Sequence, residues 1–186
     1  MPSSQRGRPP SHTVRDVVAA AAAIVDEAGV QGVSMHAVAD RAGFSRMGLY
    51  RYVDSKEQLL RLVPSYLLES VAASALSQHS SLEALADVAR GLREVLDRHP
   101  NAAPLLARPD LGPDMIAAAR HVTGLLVADG ADPDDAFEMV RAVVALTIGE
   151  HLTSYGGQGT LGVDLLLDGI SRRLSRHDGG GPMKAC

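Results

Sequence analysis

Apolar residues recur at helical spacing from the fourteenth residue onward. Val14, Val17, Val18, Ala21, Ile24, Val25 and Ala28 share one face behind a Thr13 N-cap, with Asp16 at the third helical position and Gly29 stopping the run. A shorter helix follows a Ser34 cap, with Met35, Val38, Ala39 and Ala42 inward, and Gly43 closes it. Ser45 caps a third helix of about two turns that has little to bury. Ser55 caps a fourth, with Gln58 in capping-box position and Leu59, Leu62 and Val63 as its stripe, and Pro64 predicts a kink.

Beyond that kink, Ser80 and Glu83 open a helix predicted to reach Arg98. The stretch "HPNAAPLLARPDLGP" carries prolines at 100, 104, 109 and 113, so only a short helical turn is expected there. Further helices are predicted over Pro113–Ala128, from Pro133 to Tyr155 behind Asp132, and from Asp164 to Ser175 after a glycine-rich loop. No stretch alternates with the strand period over more than a few residues. The pattern therefore predicts eight or nine helices and no sheet, an all-α fold.

Residues 1–12 have no apolar periodicity and are expected to be a disordered basic arm, and residues 177–186 a disordered tail. Between them, 13–63 and 64–176 divide into a small and a larger helical unit. Charge sharpens that division: residues 1–63 hold eight Lys/Arg against six Asp/Glu, whereas 64–186 hold ten against sixteen. A basic head on an acidic body points to the N-terminal end for any nucleic acid.

Composition removes other classes. The longest apolar run, Val17 to Val25, is too short to cross a bilayer, and Asp16 interrupts the charge pattern of an export signal, so a cytoplasmic protein with no membrane partner is expected. The single Cys186 makes no disulfide framework. Seven histidines show no ligand spacing, so no metal and no cofactor is expected. No nucleophile elbow or phosphate loop is present, which argues against an enzyme.

Two helices joined by a glycine-containing turn, the second short, describe a helix-turn-helix over "MHAVADRAGFSRMGLYRYV". Ala39 is small where the helices cross, and Val38, Phe44 and Leu49 can hold the pair against the first helix. An ordinary packed α-hairpin fits the same pattern.

The longer string "AVADRAGFSRMGLYRYVDSKEQLL" closely resembles the "IA..AGVS.GTLY.HF.SKE.LL" signature of the TetR family of bacterial transcriptional regulators, and "VVAAAAAIVDEAGVQGVSM" resembles the family's first helix. The resemblance covers Val14 to Val63. It departs at Arg46, Met47 and Gly48, where many members have Lys, Gly and Thr, at Tyr52 in place of His, and at Val53 in place of an aromatic residue.

The resemblance implies an N-terminal three-helix DNA-binding domain and a C-terminal helical ligand-binding and dimerisation domain. It also implies a repressor that leaves a palindromic double-stranded DNA operator when a small-molecule effector binds. Ser45, Arg46, Met47, Gly48 and Tyr50 would face the major groove or its phosphates, with Arg46 the leading base contact. Tyr50, Tyr52 and Lys56 would reach phosphates, and the caps Thr13 and Ser34 can also present polar groups to the backbone. In the arm, "RGRP" resembles an AT-hook core, so Arg6 and Arg8 are expected at a minor groove.

The segments "ALTIGEHLTSY" and "GVDLLLDGI" resemble the C-terminal domain of the tetracycline-repressor type, implying a homodimer built on the last two long helices. Its magnesium-drug coordination is not reproduced, because Thr153 stands where that type has Glu. Polar pocket residues are instead expected among His99, His121, Thr123, Thr147, Glu150 and His151, with the segment from His99 to Pro113 as relay to the fourth helix. Two other uses stay open at this level: a ligand-independent nucleoid-type DNA-binding protein, or a small-molecule-binding dimer without DNA binding.

Overall fold

The computed structural model describes residues 13–108, 112–153 and 160–178. Among them are ten α-helices, one 3-10 turn and no strand. The small unit holds α1 (Val14–Gly32), α2 (Met35–Ala42), α3 (Arg46–Leu49) and α4 (Lys56–Leu67). The larger one holds α5 (Glu69–Ser77), α6 (Ser81–Arg98), α7 (Ala103–Leu106), α8 (Pro113–Ala128), α9 (Pro133–Thr153) and α10 (Leu161–Asp178), with a 3-10 turn at Pro100–Ala102.

The expected caps form. Thr13 and Asp16 make a complete capping box, the Asp16 amide donating to Oγ1 at 3.2 Å and the Thr13 amide to Oδ2 at 2.7 Å. At α4 the Gln58 amide donates to Ser55 Oγ at 3.1 Å, but the Gln58 side chain accepts from the Asp54 amide, one residue before the cap. Gly29 ends the regular part of α1 at φ 66°, ψ −179°, a region closed to residues with a Cβ, and one further turn carries the chain to Gly32.

Two boundaries differ from the sequence pattern. The chain bends by 44° between α4 and α5, and the break falls at Leu68, four residues beyond Pro64. Pro64 itself stays inside α4, its carbonyl accepting from the Leu68 amide at 2.9 Å. This break and the four-residue α7 bring the α-helix count above eight or nine. The second difference is α10, which starts at Leu161 rather than Asp164 and runs to Asp178, into the expected tail. Its first turn is capped from another helix: Glu150 Oε1 accepts the Gly162 amide at 2.9 Å, a partner invisible to a local pattern.

One continuous apolar core joins both units. In the small unit α1 packs on α2 and α4, and on the 3-10 turn from the larger one. In the larger unit α5 and α9 cover α6, and α8 lies across α5 and α9. Val17, Ala21, Val25, Val38, Leu49, Leu59 and Val63 are sealed together, so the short α3 is held by a single anchor, Leu49. No single helix among the described residues is long and apolar enough to cross a membrane, and the bent α4–α5 pair, which meets the test by composition, buries Leu59, Val63, Leu68 and Ala75 in this core.

Candidate nucleic-acid interface

The turn between α2 and α3 follows from its residues. Gly43 adopts the left-handed conformation at φ 72°, ψ 27°, and the Phe44 amide closes back on the Ala39 carbonyl at 2.9 Å. Ser45 Oγ then accepts the Gly48 amide at 3.0 Å, which starts α3 in a new direction. The regular helix lasts one turn rather than two. Past Leu49 the chain continues through tighter bonds, Arg51 amide to Gly48 carbonyl at 3.3 Å and Tyr52 amide to Leu49 carbonyl at 2.9 Å.

This geometry divides inward from outward residues. Leu49 is fully buried, while Met47 is 78% and Tyr50 45% exposed, on the side turned away from the core. Gly48 is half-buried, Ser45 exposed, and Arg46 opens the helix. Tyr52 sits differently: its ring packs edge-on against Phe44, centroids 5.1 Å apart at 66°, and wedges the turn against the core. Lys56 is the first residue of α4, beside that helix's free amides. Thr13 and Ser34 act as caps, Ser34 Oγ accepting the Ala37 amide at 3.1 Å. Arg6 and Arg8 lie outside the described residues. Arg51 stands exposed beside Tyr50, and nothing in the sequence separates it from an ordinary surface charge.

The pair is also fixed electrostatically. Arg41 on α2 grips Glu27 on α1 through both oxygens, with 2.6 Å from Nη1 to Oε1. This hydrogen bonding lowers the Glu27 carboxyl and raises the Arg41 guanidinium from their ordinary values. Glu57 is lowered chiefly by its own backbone amide at the start of α4 and then by the Ser55 hydroxyl, as expected of a carboxylate at a helix's positive end.

A family profile described as "Bacterial regulatory proteins, tetR family" matches residues 17–63, the span just described. The chain is 34% identical over 144 residues to the "HTH-type transcriptional repressor DrrR1" of Streptomyces coeruleorubidus, covering 76% of this chain and 52% of that protein. Residues 17–63 belong to the TetR family. The chain spans about half the length of that curated relative. The TetR-family fold extends over the rest of the described chain: a possible TetR family transcriptional regulator from Streptomyces coelicolor A3(2) superposes with a TM-score of 0.70 at 24% identity, covering 86% of this chain and 99% of its own. The crystal structure of BioQ with its natural double-stranded DNA operator does so with a TM-score of 0.67 at 23% identity, covering 87% and 99%.

In the larger unit, the polar residues singled out as pocket candidates line neither the cleft between α4 and α7 nor the groove between α9 and α10. His99 Nδ1 lies 2.8 Å from Asp26 Oδ2 and ties α6 to α1. His121 Nε2 lies 2.9 Å from the Gln78 carbonyl, joining α8 to the end of α5. Thr147 is fully buried and donates to the Val143 carbonyl of its own helix at 2.7 Å. Thr123 Oγ1 is buried without a partner among the described residues. Glu150 pairs with Arg93 of α6 at 3.1 Å and caps α10, and His151 Nδ1 lies 3.4 Å from Asp97, so these two bolt α9 to α6. A cavity opens elsewhere. It is a cleft of about 910 Å³ between the end of α1, α4, the 3-10 turn and α7, with Leu152 of α9 at its edge. Sequence reasoning missed it because its walls come from segments far apart in the chain.

Proposed function

We propose that this protein is a homodimeric repressor that binds a palindromic DNA operator and leaves it when a small molecule binds. The observation that carries the DNA reading is the outward face of α3. A turn this short has one buried anchor and presents Met47 and Tyr50 to solvent, an arrangement with no packing purpose and the shape a major groove accepts. The repressor name of the Streptomyces coeruleorubidus relative and the operator bound to BioQ support the same reading. Arg46 takes the base contact, Tyr50 and Lys56 the phosphates, and Arg6 and Arg8 the adjacent minor groove. Such a protein works in the cytoplasm, where its operator is.

A two-fold operator needs two recognition helices about 34–36 Å apart. The dimer that supplies them uses α9 and α10, which leave Phe137, Leu161 and Leu165 exposed and form a shallow groove of about 310 Å³ lined by Met139, Leu166 and Ile170. The 3-10 turn and α7, packed against α1, α4 and α9, are the route by which a ligand shifts that spacing.

The test is a footprint on DNA flanking the gene, repeated against scrambled DNA at stated salt. Protection of a palindrome, lost on Arg46→Ala and weakened on Tyr50→Phe, is the expected result. Equal binding to scrambled DNA would sink it. Analytical ultracentrifugation of Phe137→Glu is expected to show monomer where the parent sediments as dimer.

A further inference from the structure

We propose that the cleft between α4 and α7 binds an amphipathic monocarboxylate, an anionic head on an apolar body. The proposal deepens the effector-responsive reading above, and rests on it only for its regulatory consequence. About 910 Å³ is at the upper end of the volumes that hold small organic ligands. The cleft is lined by the apolar residues Val30, Leu60, Leu105 and Leu152, and by two exposed arginines, Arg61 on the α4 wall and Arg108 just past α7.

The charges at this cleft select the ligand. Among the described residues neither Arg61 nor Arg108 has a carboxylate within ion-pair distance, unlike Arg15, Arg41, Arg90, Arg93, Arg141 and Arg173. The carboxylate on the lining is Glu57, one turn before Arg61, which lowers the Glu57 carboxyl only slightly, as the least of the causes. Two cations against one anion leave the lining one positive charge in excess, which one carboxylate neutralises. A guanidinium fork fits a planar carboxylate through two parallel hydrogen bonds. The aliphatic and proline surfaces at Leu105, Pro100 and Pro104 are then covered by the ligand's body.

The position gives the site its leverage. One wall belongs to the DNA-binding helices and the other to the larger unit, so a bound carboxylate touches both. Its affinity therefore differs between arrangements of the two, and that difference is the most by which it can shift DNA binding.

Direct binding to the full chain tests the proposal without DNA. The probes are 4-phenylbutanoate, decanoate and 2-naphthoxyacetate, each beside its primary amide, in isothermal titration calorimetry. At least one carboxylate is expected to bind, about tenfold or more tighter than its amide, a fair return for one charge-assisted contact. Arg61→Gln and Arg108→Gln are each expected to weaken it about fivefold, and the double variant to abolish it. The chain has no tryptophan, so Leu152→Trp places a lone indole at the cleft edge, and its emission is expected to shift as the carboxylate is added. Absence of binding by all three probes, equal binding of the amides, or unchanged affinity in the double variant would overturn the site. So would inorganic phosphate competing as strongly as the carboxylates, which would reveal a bare anion site. A failed footprint with intact carboxylate binding refutes the operator reading and leaves this site standing; the reverse result does the opposite.

Discussion

His99 Nδ1 lies 2.8 Å from Asp26 Oδ2, and this contact joins the residue that ends α6 to α1, across the boundary between the small helical unit and the larger one. Asn101 reinforces it, its Nδ2 donating to the Asp26 carbonyl at 2.8 Å. The other carboxylate oxygen of Asp26 is buried without a partner among the described residues. Removing His99 therefore strands a partly buried carboxylate. His99→Ala is expected to cost about 1–2 kcal/mol, at the lower end for a broken pair because both side chains keep some contact with water. Urea denaturation measures it, and a double-mutant cycle with Asp26→Asn should return a coupling of about 0.5 kcal/mol or more. A coupling near zero would mean that the pair does not tie the units.

Two glycines should respond differently to the same substitutions. Gly43, at φ 72° and ψ 27°, is in the left-handed helical region, whereas Gly29, at φ 66° and ψ −179°, is in a region that only glycine occupies readily. An added Cβ meets nothing within 4 Å at either site, so backbone strain alone sets the cost. Gly43→Ala is expected to lose about 1–2 kcal/mol and Gly43→Asn clearly less, since Asn tolerates this conformation. At Gly29 both changes should cost more, up to about 3 kcal/mol, with no rescue by Asn. Denaturation midpoints of the four variants decide it.

Lys56 and Arg46 should separate by salt. Loss of a phosphate contact weakens binding to all sequences alike, so Lys56→Ala is expected to reduce the slope of log affinity against log salt by about 0.9 per subunit, about 1.8 for a bound dimer. Arg46→Ala should also cost about 1–3 kcal/mol of discrimination at one base pair. Fluorescence anisotropy over a salt series, with single-base operator variants, reads both. If Lys56→Ala instead changed base preference, its assignment to the backbone would fall.

Acid should loosen the molecule from known points. Glu57, Glu27 and Glu138 all have lowered folded-state pKa values: Glu57 chiefly from its own helix amide and the Ser55 hydroxyl, Glu27 from Arg41, Glu138 from Arg141. A carboxyl that is more acidic folded than unfolded stabilises fully above its unfolded value, about 4.3, and that contribution disappears as pH falls through the lower folded value. Melting temperature is therefore expected to hold near neutrality and to drop below about pH 4, with a shallower drop in the Glu27→Gln, Glu57→Gln double variant. An identical acid limb in parent and variant would contradict the assignment.

The helices and their caps were legible because they are local. Thr13, Ser34, Ser45 and Ser55 accept amides three residues on, and Gly43 turns left-handed as the pattern required. Boundaries set by distant partners were not legible. The start of α10 at Leu161 depends on Glu150, whose Oε1 would lie 2.4 Å from a Cβ at Gly162, so both the cap and the glycine answer to a neighbouring helix. The break at Leu68 likewise comes four residues after the proline that announced it.

The recognition turn and the pocket residues show the same division. Exposure of Met47 and Tyr50 around a buried Leu49 was readable from "AGFSRMGLY", since a short helix with one apolar anchor has only one way to face. The roles of His99, Glu150 and His151 were not, because a polar side chain in a helix pattern looks the same whether it meets a ligand or an ion-pair partner. Their partners, Asp26, Arg93 and Asp97, lie 73, 57 and 54 positions away in the sequence. By itself the sequence determined the helices, the turn that projects α3 and the family they imply, all set by short-range hydrogen bonds and apolar spacing. Only the tertiary structure decided which polar groups are ion-paired and where a cavity opens, because both depend on which distant helices pack together.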